Sequence, residues 1–208
     1  MDAYSRGRES IPTRDELVGR AQALLPGLRE RAARAEAERR VPHESIEEIV
    51  AAGLGRALQP RRFGGYELGH SVAFDIAAEI ASACTSTGWC TSLLNVHDWW
   101  LAYFPEEAQH DVCRDSPDQN ISGMDYPTGK AKPVDGGYRL TGRWSWVSGV
   151  DHSHWVIVAA LVMPKAGPPH VRQFLLPRAD YTVVDTWHNS GLRGTGSNDI
   201  LVDDVFVA

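Results

Sequence analysis

The stretch Gly137-Tyr138-Arg139-Leu140-Thr141-Gly142-Arg143-Trp144-Ser145-Trp146-Val147-Ser148-Gly149 decides how the chain is read. Its residues alternate along Gly137–Gly142 and again along Trp144–Ser148. A period of two is that of a strand, whose successive side chains point to opposite faces of a sheet. On that period Trp144 and Trp146 project to the same side. Further runs follow: the apolar stretch Trp155 to Met163, then Val171 to Leu176, Tyr181 to Val184, and Ile200 to Val207. Glycine and proline clusters punctuate them at Asp135-Gly136-Gly137, Pro164 to Pro169, and Gly191 to Gly196. Short strands with turn signals between them predict a small antiparallel barrel or sandwich beginning near Asn120.

Upstream of Asn120 the period is helical. Thr13-Arg14-Asp15-Glu16 matches a capping box, and Leu17, Ala21, Leu24, Leu25, Leu28, Ala32 and Ala35 follow at helical spacing. Pro26-Gly27 predicts a kink or break in that helix. A shorter helix is expected from Pro42 to Ala52, with Gly53 as a left-handed cap, and two more at Ser71–Ala83 and Gly88–Phe104. The last of these is apolar on all sides, which predicts burial on more than one face. Pro105 opens another short helix. The expected class is therefore α+β: a tail at 1–12, an all-α domain at 13–117 and a β domain at 118–208.

Composition narrows the function classes. A hydrophobic share of 43% and a charged share of 23% are those of an ordinary globular protein. A net charge of −6, with acids and bases mixed as in Glu36-Ala37-Glu38-Arg39-Arg40, gives no expectation of nucleic acid or an anionic membrane as partner. Cys84, Cys90 and Cys113 are odd in number and lack CxxC spacing, which argues against a disulfide scaffold or a zinc ribbon. No apolar run would cross a bilayer, and Met1-Asp2-Ala3-Tyr4-Ser5-Arg6 is not a signal peptide. A cytoplasmic location is the expectation.

Four ordered patterns carry a resemblance. They are Ala51-Ala52-Gly53-Leu54 leading to Gln59-Pro60-Arg61-Arg62-Phe63-Gly64-Gly65; the Gly137–Gly149 stretch; Leu192-Arg193-Gly194-Thr195-Gly196-Ser197-Asn198; and Pro127-Thr128-Gly129 with Val134–Tyr138 and Asp151-His152-Ser153-His154-Trp155. Together they resemble the acyl-CoA dehydrogenase superfamily. The last pattern is more similar to its two-component flavin-dependent monooxygenases of phenols, such as hydroxyphenylacetate and secosteroid hydroxylases. The resemblance implies a reduced flavin (FMN or FAD), a separate flavin reductase and a small-molecule substrate. It further implies that a C-terminal four-helix bundle should begin where the chain ends at Phe206-Val207-Ala208. On that expectation the bundle comes from another chain, has been cut away, or has been lost with a change of function, and the protein is a homo-oligomer or has a partner chain. An acyl-CoA or acyl-carrier dehydrogenase relative and a non-redox binding, scaffold or repurposed protein are the alternative readings.

The same resemblance nominates site residues. Ser148 would stand near flavin N5, where a hydroxyl controls access to the N5 proton; a serine bonding its own turn is the plainer reading. His97 would contact a phenol hydroxyl and share its proton, although a hydrogen-bonded core histidine is equally ordinary. Trp89, two turns earlier, would line the same pocket, and Ser122 would add a second pocket hydroxyl. Trp144 or Trp146 would pack on the flavin ring, the alternative being core. Arg193, in a tight turn without a following helix, would face the cofactor. His152 and His154 alternate but lack a third ligand, so no metal site is expected.

Overall fold

The computed structural model describes residues 10–164 and 166–208. Two compact units divide the chain, one ending at Gln119 and taking in Gly191–Thr195, the other formed by Asn120–Ser190 and Gly196–Ala208. The Gly191–Thr195 segment, expected in the β domain, thus belongs with the helices.

The helical unit contains α1 (Arg14–Glu38), α2 (His43–Ala51), α3 (His70–Ala83), α4 (Thr85–Leu101) and α5 (Glu106–Cys113). The Thr13–Glu16 capping box forms in both directions, satisfying two backbone amides that the first turn leaves unpaired. The break expected at Pro26 does not occur, and α1 runs through it. Leu17, Ala21, Leu28 and Ala35 are buried on both sides of that proline, so packing outweighs the roughly 3 kcal/mol that an interior proline costs. Leu17, Leu28, Ile49, Leu54, Ile76 and Ile80 meet in one core. Gly53 takes the expected left-handed conformation with φ 72°.

α4 corrects its sequence reading. Its inward face is broad, as expected, but mixed: Cys90, Leu94 and Leu101 are buried beside the polar Ser86, Thr87, Thr91, Asn95, His97 and Asp98. Its large aromatics point out instead: Trp89 is 48% and Trp99 38% exposed. Asn95 shows how such a group is accommodated. Asn95 Oδ1 accepts from the Ala57 amide at 3.0 Å, and its Nδ2 donates to Leu54 O at 2.9 Å and Thr91 O at 3.2 Å.

The second unit is one six-stranded sheet in the order β4-β3-β1-β2-β6-β5. The strands are β1 (Ile121–Val134), β2 (Gly137–Val147), β3 (Trp155–Val162), β4 (His170–Pro177), β5 (Thr182–Val184) and β6 (Asn198–Val207). The sheet is mixed where an antiparallel one was expected, because β1 and β3 pair in parallel. β6 occupies the far edge of β2, so β3, reversing after β2 through the turn Val150–His152, pairs beyond β1 and runs with it.

Trp144 is the centre of this unit. It is fully buried, and its indole Nε1 donates to Ala159 O at 2.7 Å. A Cβ at Gly129 would lie 2.1 Å from the Trp144 ring and one at Gly142 2.7 Å from it, so both positions must be glycine for the indole to fit.

The same-side reading of Trp144 and Trp146 fails. Trp144 pairs with Ile200 and Val147 with Asn198, so β2 carries one more residue than β6 across this step. Such a bulge turns Trp146 out of the alternation. Its φ is 65° and it is 68% exposed, while Val147 takes the buried place.

Candidate functional site

The bulge delivers the chain directly into a knot of buried hydroxyls in the sheet unit. Ser148 Oγ lies 2.7 Å from Ser197 Oγ. The Ser148 carbonyl accepts from Ser122 Oγ at 2.9 Å, and Ser122 Oγ bonds Ser153 Oγ. Ser153 Oγ also reaches Gly149 O at 3.3 Å. All four serines are buried. Each comes from a different place: Ser122 from the start of β1, Ser148 from the end of β2, Ser153 from the turn before β3, and Ser197 from the residue before β6. The predicted Ser122 and Ser148 are therefore brought together, whereas Ser153 and Ser197 were overlooked as site residues. Both lay inside quoted motifs, but only the pairing of strands shows where their hydroxyls meet. Tyr181 closes one side, with Oη donating to Ser153 O at 3.4 Å and its phenol pushed up to about 12 by burial.

The tryptophans separate by role. Trp144 has no surface to offer a cofactor, so its expected flavin contact gives way to the core. Trp146 has an open indole face two residues before Ser148. A bulky residue at positive φ costs about 1–2 kcal/mol and persists only where its surroundings hold it there.

In the helical unit His97 is 4% exposed and stacks on Trp100, with ring centroids 5.9 Å apart and 26° between planes. Trp89 is not brought to it. Eight residues of helix rotate about 80° past two full turns, enough to leave Trp89 outside while His97 is inside. The neighbour Asp98 is the group that sequence reasoning passed over. Burial holds its carboxyl well above the usual range, Asp118 adds repulsion, and Arg56 opposes both. Arg56 is itself engaged by Asp118 through Nε–Oδ1 at 2.6 Å and Nη2–Oδ2 at 2.5 Å. The Cys113 thiol, also buried and under the influence of Asp98, is pushed up to about 12.

Arg193 is turned to structure. Its Nε donates to the Glu36 carbonyl in the last turn of α1 at 3.1 Å. Gly194 meets Ala35 and Ser86 closely, and Cys90 Sγ reaches Thr195 O at 3.7 Å. This turn thus braces α1 and α4. His152 lies in a 3₁₀ turn and not on a strand, and His154 Nδ1 accepts from the Asn120 amide at 3.1 Å. Among the described residues, no group of three or more His, Cys, Asp or Glu is placed to hold a metal ion. No described helix is long and apolar enough to cross a membrane.

Residues 22–112 match the acyl-CoA dehydrogenase N-terminal domain. The chain belongs to the acyl-CoA dehydrogenase superfamily. It is 45% identical over 188 residues to the oxygenase subunit HsaA, a flavin-dependent monooxygenase of Rhodococcus jostii, covering 90% of this chain and 49% of the relative. It is 41% identical to the oxygenase component of an FADH2-dependent resorcinol hydroxylase from Rhizobium sp., over 92% of this chain and 47% of that protein. The crystal structure of 3-HSA hydroxylase from Rhodococcus sp. RHA1 superposes with a TM-score of 0.90 at 44% identity, over 94% of this chain and 51% of the other. The chain spans about half the length of the curated relatives it matches.

Proposed function

We propose that this chain forms part of the oxygenase component of a two-component, flavin-dependent monooxygenase that hydroxylates an aromatic small molecule. Reduced FMN or FAD would come from a separate reductase, a reading supported by the naming of the relatives as an oxygenase subunit or component. The observation that carries the reading is the Ser122–Ser148–Ser153–Ser197 cluster directly after the exposed, left-handed Trp146. Its support from relatives is that curated proteins matching nine-tenths of this chain are named as flavin-dependent hydroxylating oxygenase components.

In this reading Ser148 and Trp146 hold the flavin, whose bound reduced form supplies the chemistry with dioxygen. Ser148 presents a hydroxyl to N5 and governs exchange of the proton there. Ser122 fixes the Ser148 carbonyl and thereby the strand end. His97, kept nearly free of water and stacked on Trp100, accepts or shares the substrate's phenolic proton and enriches the ring for attack. The exposed aromatics of α4, together with Phe74 at 60% and Tyr103 at 70% exposed, support a further part of the reading: this face is covered by a second copy or by a partner chain.

The test is anaerobic titration of the purified chain, with any chain that co-purifies, using reduced FMN and reduced FAD. Oxygen and a phenolic probe are then added. Saturable binding of reduced flavin followed by a product heavier by one oxygen atom is the expected result. Failure to bind either flavin sinks the oxygenase reading and leaves a non-redox binding protein. Turnover of an acyl thioester with an artificial electron acceptor would point instead to dehydrogenase chemistry.

A further inference from the structure

A second bulge, in β6, shapes the end of β2 opposite to Ser148. Leu140 pairs with Val205 and Gly142 with Val202, so β6 carries one more residue than β2 across this step. Asp204 stands in the bulge at φ 50°, in the left-handed region that residues with side chains rarely adopt. Its backbone holds two neighbours. The Asp204 amide donates to Thr141 Oγ1 at 3.0 Å, and its carbonyl accepts from Arg139 Nη1 at 2.8 Å. Because the Thr141 oxygen accepts here, its own O–H is left to donate.

These groups border a cavity of about 440 Å³ whose lining includes Lys130, Lys132, Arg139, Thr141, Met163 and Asp204. Its charge is unbalanced. Lys132 lies directly opposite Arg139 across β1 and β2, and Lys130 lies opposite Thr141. Like charges facing one another across two strands repel and weaken the pair. Asp204 is the acid of the lining, yet its Oδ2 is 3.9 Å from Arg139 Nη1 and its side chain is 71% exposed. Among the described residues Lys130 and Lys132 have no ion-pair partner. Three cations therefore share one distant carboxylate, in a chain whose 27 acids outnumber its 21 bases.

We infer that this cavity binds a small phosphorylated metabolite. Ammonium groups are compact charges with rotatable donors, which suit a tetrahedral phosphate whose charge is spread over several oxygens. A planar carboxylate is met best by an arginine fork, and Arg139 has one arm committed to the Asp204 carbonyl. Thr141 adds a neutral donor. The volume lies in the range of sites for small organic ligands, and Met163, 47% exposed, supplies an apolar wall for the rest of the molecule. Thr141 precedes Ser148 by seven residues, roughly 23 Å of strand at about 3.3 Å each, too far apart for one FMN to reach both. The inference stands whether or not flavin binds at Ser148.

Isothermal titration calorimetry of the purified chain, with any partner that co-purifies, tests it with inorganic pyrophosphate and with citrate at fixed ionic strength. The variants are Lys130→Gln, Lys132→Gln, the double variant, and Arg29→Gln, which removes the same charge from an exposed residue outside the lining. All four replace exposed side chains and leave no core cavity. Pyrophosphate should bind saturably, at one site per chain, and more tightly than citrate. Each single lysine variant should weaken it about five-fold, the upper range for one exposed ion pair, and the double variant should weaken it further. Arg29→Gln should weaken it by less than about two-fold, since a charge outside the lining acts only through a screened field. Absence of saturable pyrophosphate binding overturns the inference. Equal weakening by Arg29→Gln also overturns it, because the effect would then be one of net charge. Citrate bound as tightly as pyrophosphate overturns the phosphate assignment. Displacement of bound flavin by pyrophosphate would make the cavity part of the flavin site and overturn the inference too, whereas a chain that binds pyrophosphate but no flavin supports it and sinks only the oxygenase reading.

Discussion

Asp98 and Asn95 lie three residues apart on α4 and show two ways of burying a polar side chain. Asn95 meets every demand with neutral partners, bonding Ala57, Leu54 and Thr91. Asp98 instead sits where burial and Asp118 disfavour its charge. Its folded pKa is raised, so the folded protein holds a proton that the unfolded chain releases. The stability associated with that proton is fully present below the unfolded value of 3.8 and is lost as pH climbs through the raised folded value. Asp98→Asn removes the titration at nearly constant volume. Thermal unfolding at pH 8 should show the variant more stable than wild type, with the gap closing towards about pH 4, where both chains carry a neutral group. A gap independent of pH would mean that Asp98 stays ionised in the fold.

The bulge in β2 is the element on which the candidate site depends. Along the strand, alternation is carried by Leu140 and Trp144, then broken by one residue so that Val147 and not Trp146 enters the core. The break leaves Trp146 at φ 65°, a conformation that glycine adopts freely and tryptophan does not. Trp146→Gly should therefore raise stability by about 0.5–1 kcal/mol, the relieved strain less the greater backbone entropy of glycine. The same variant should weaken flavin binding several-fold, as read by the anaerobic titration. Loss of stability with unchanged flavin affinity would assign the indole to packing alone. A stability gain coupled to a loss of binding is the pattern expected where strain is held for function.

At the scale of the whole molecule the informative surface is aromatic. His70, Trp99 and Tyr103 form an edge-to-face series with successive centroids 5.0 Å apart, and Phe74 is exposed on α3. Exposed rings in this number on adjacent helices are unusual for a monomer with a net charge of only −6. Native mass spectrometry should find the chain as an oligomer or with a bound partner. Phe74→Glu with Tyr103→Glu should shift it to a smaller species at unchanged helical content, because both side chains are already exposed and their loss leaves no core cavity. An unchanged mass would remove this face from any interface.

The sequence by itself determined what depends on local periodicity and turn chemistry: the capped helix after Thr13, the left-handed Gly53, the change from helix to sheet near Asn120, and the family, through four motifs in order. These features are legible because they rest on residues close together in the chain. Other features were settled only in three dimensions. Packing carried α1 through Pro26, the closed edge of β2 forced β1 and β3 to run in parallel, and an added residue opposite β6 turned Trp146 outward. Ser148 and Ser122 could be nominated from motifs. Their joining with Ser153 and Ser197 could not, since Ser148 and Ser197 are 49 residues apart and meet only because β2 pairs with β6. Periodicity assigns a residue to a face, and strand register decides which faces share a hydroxyl.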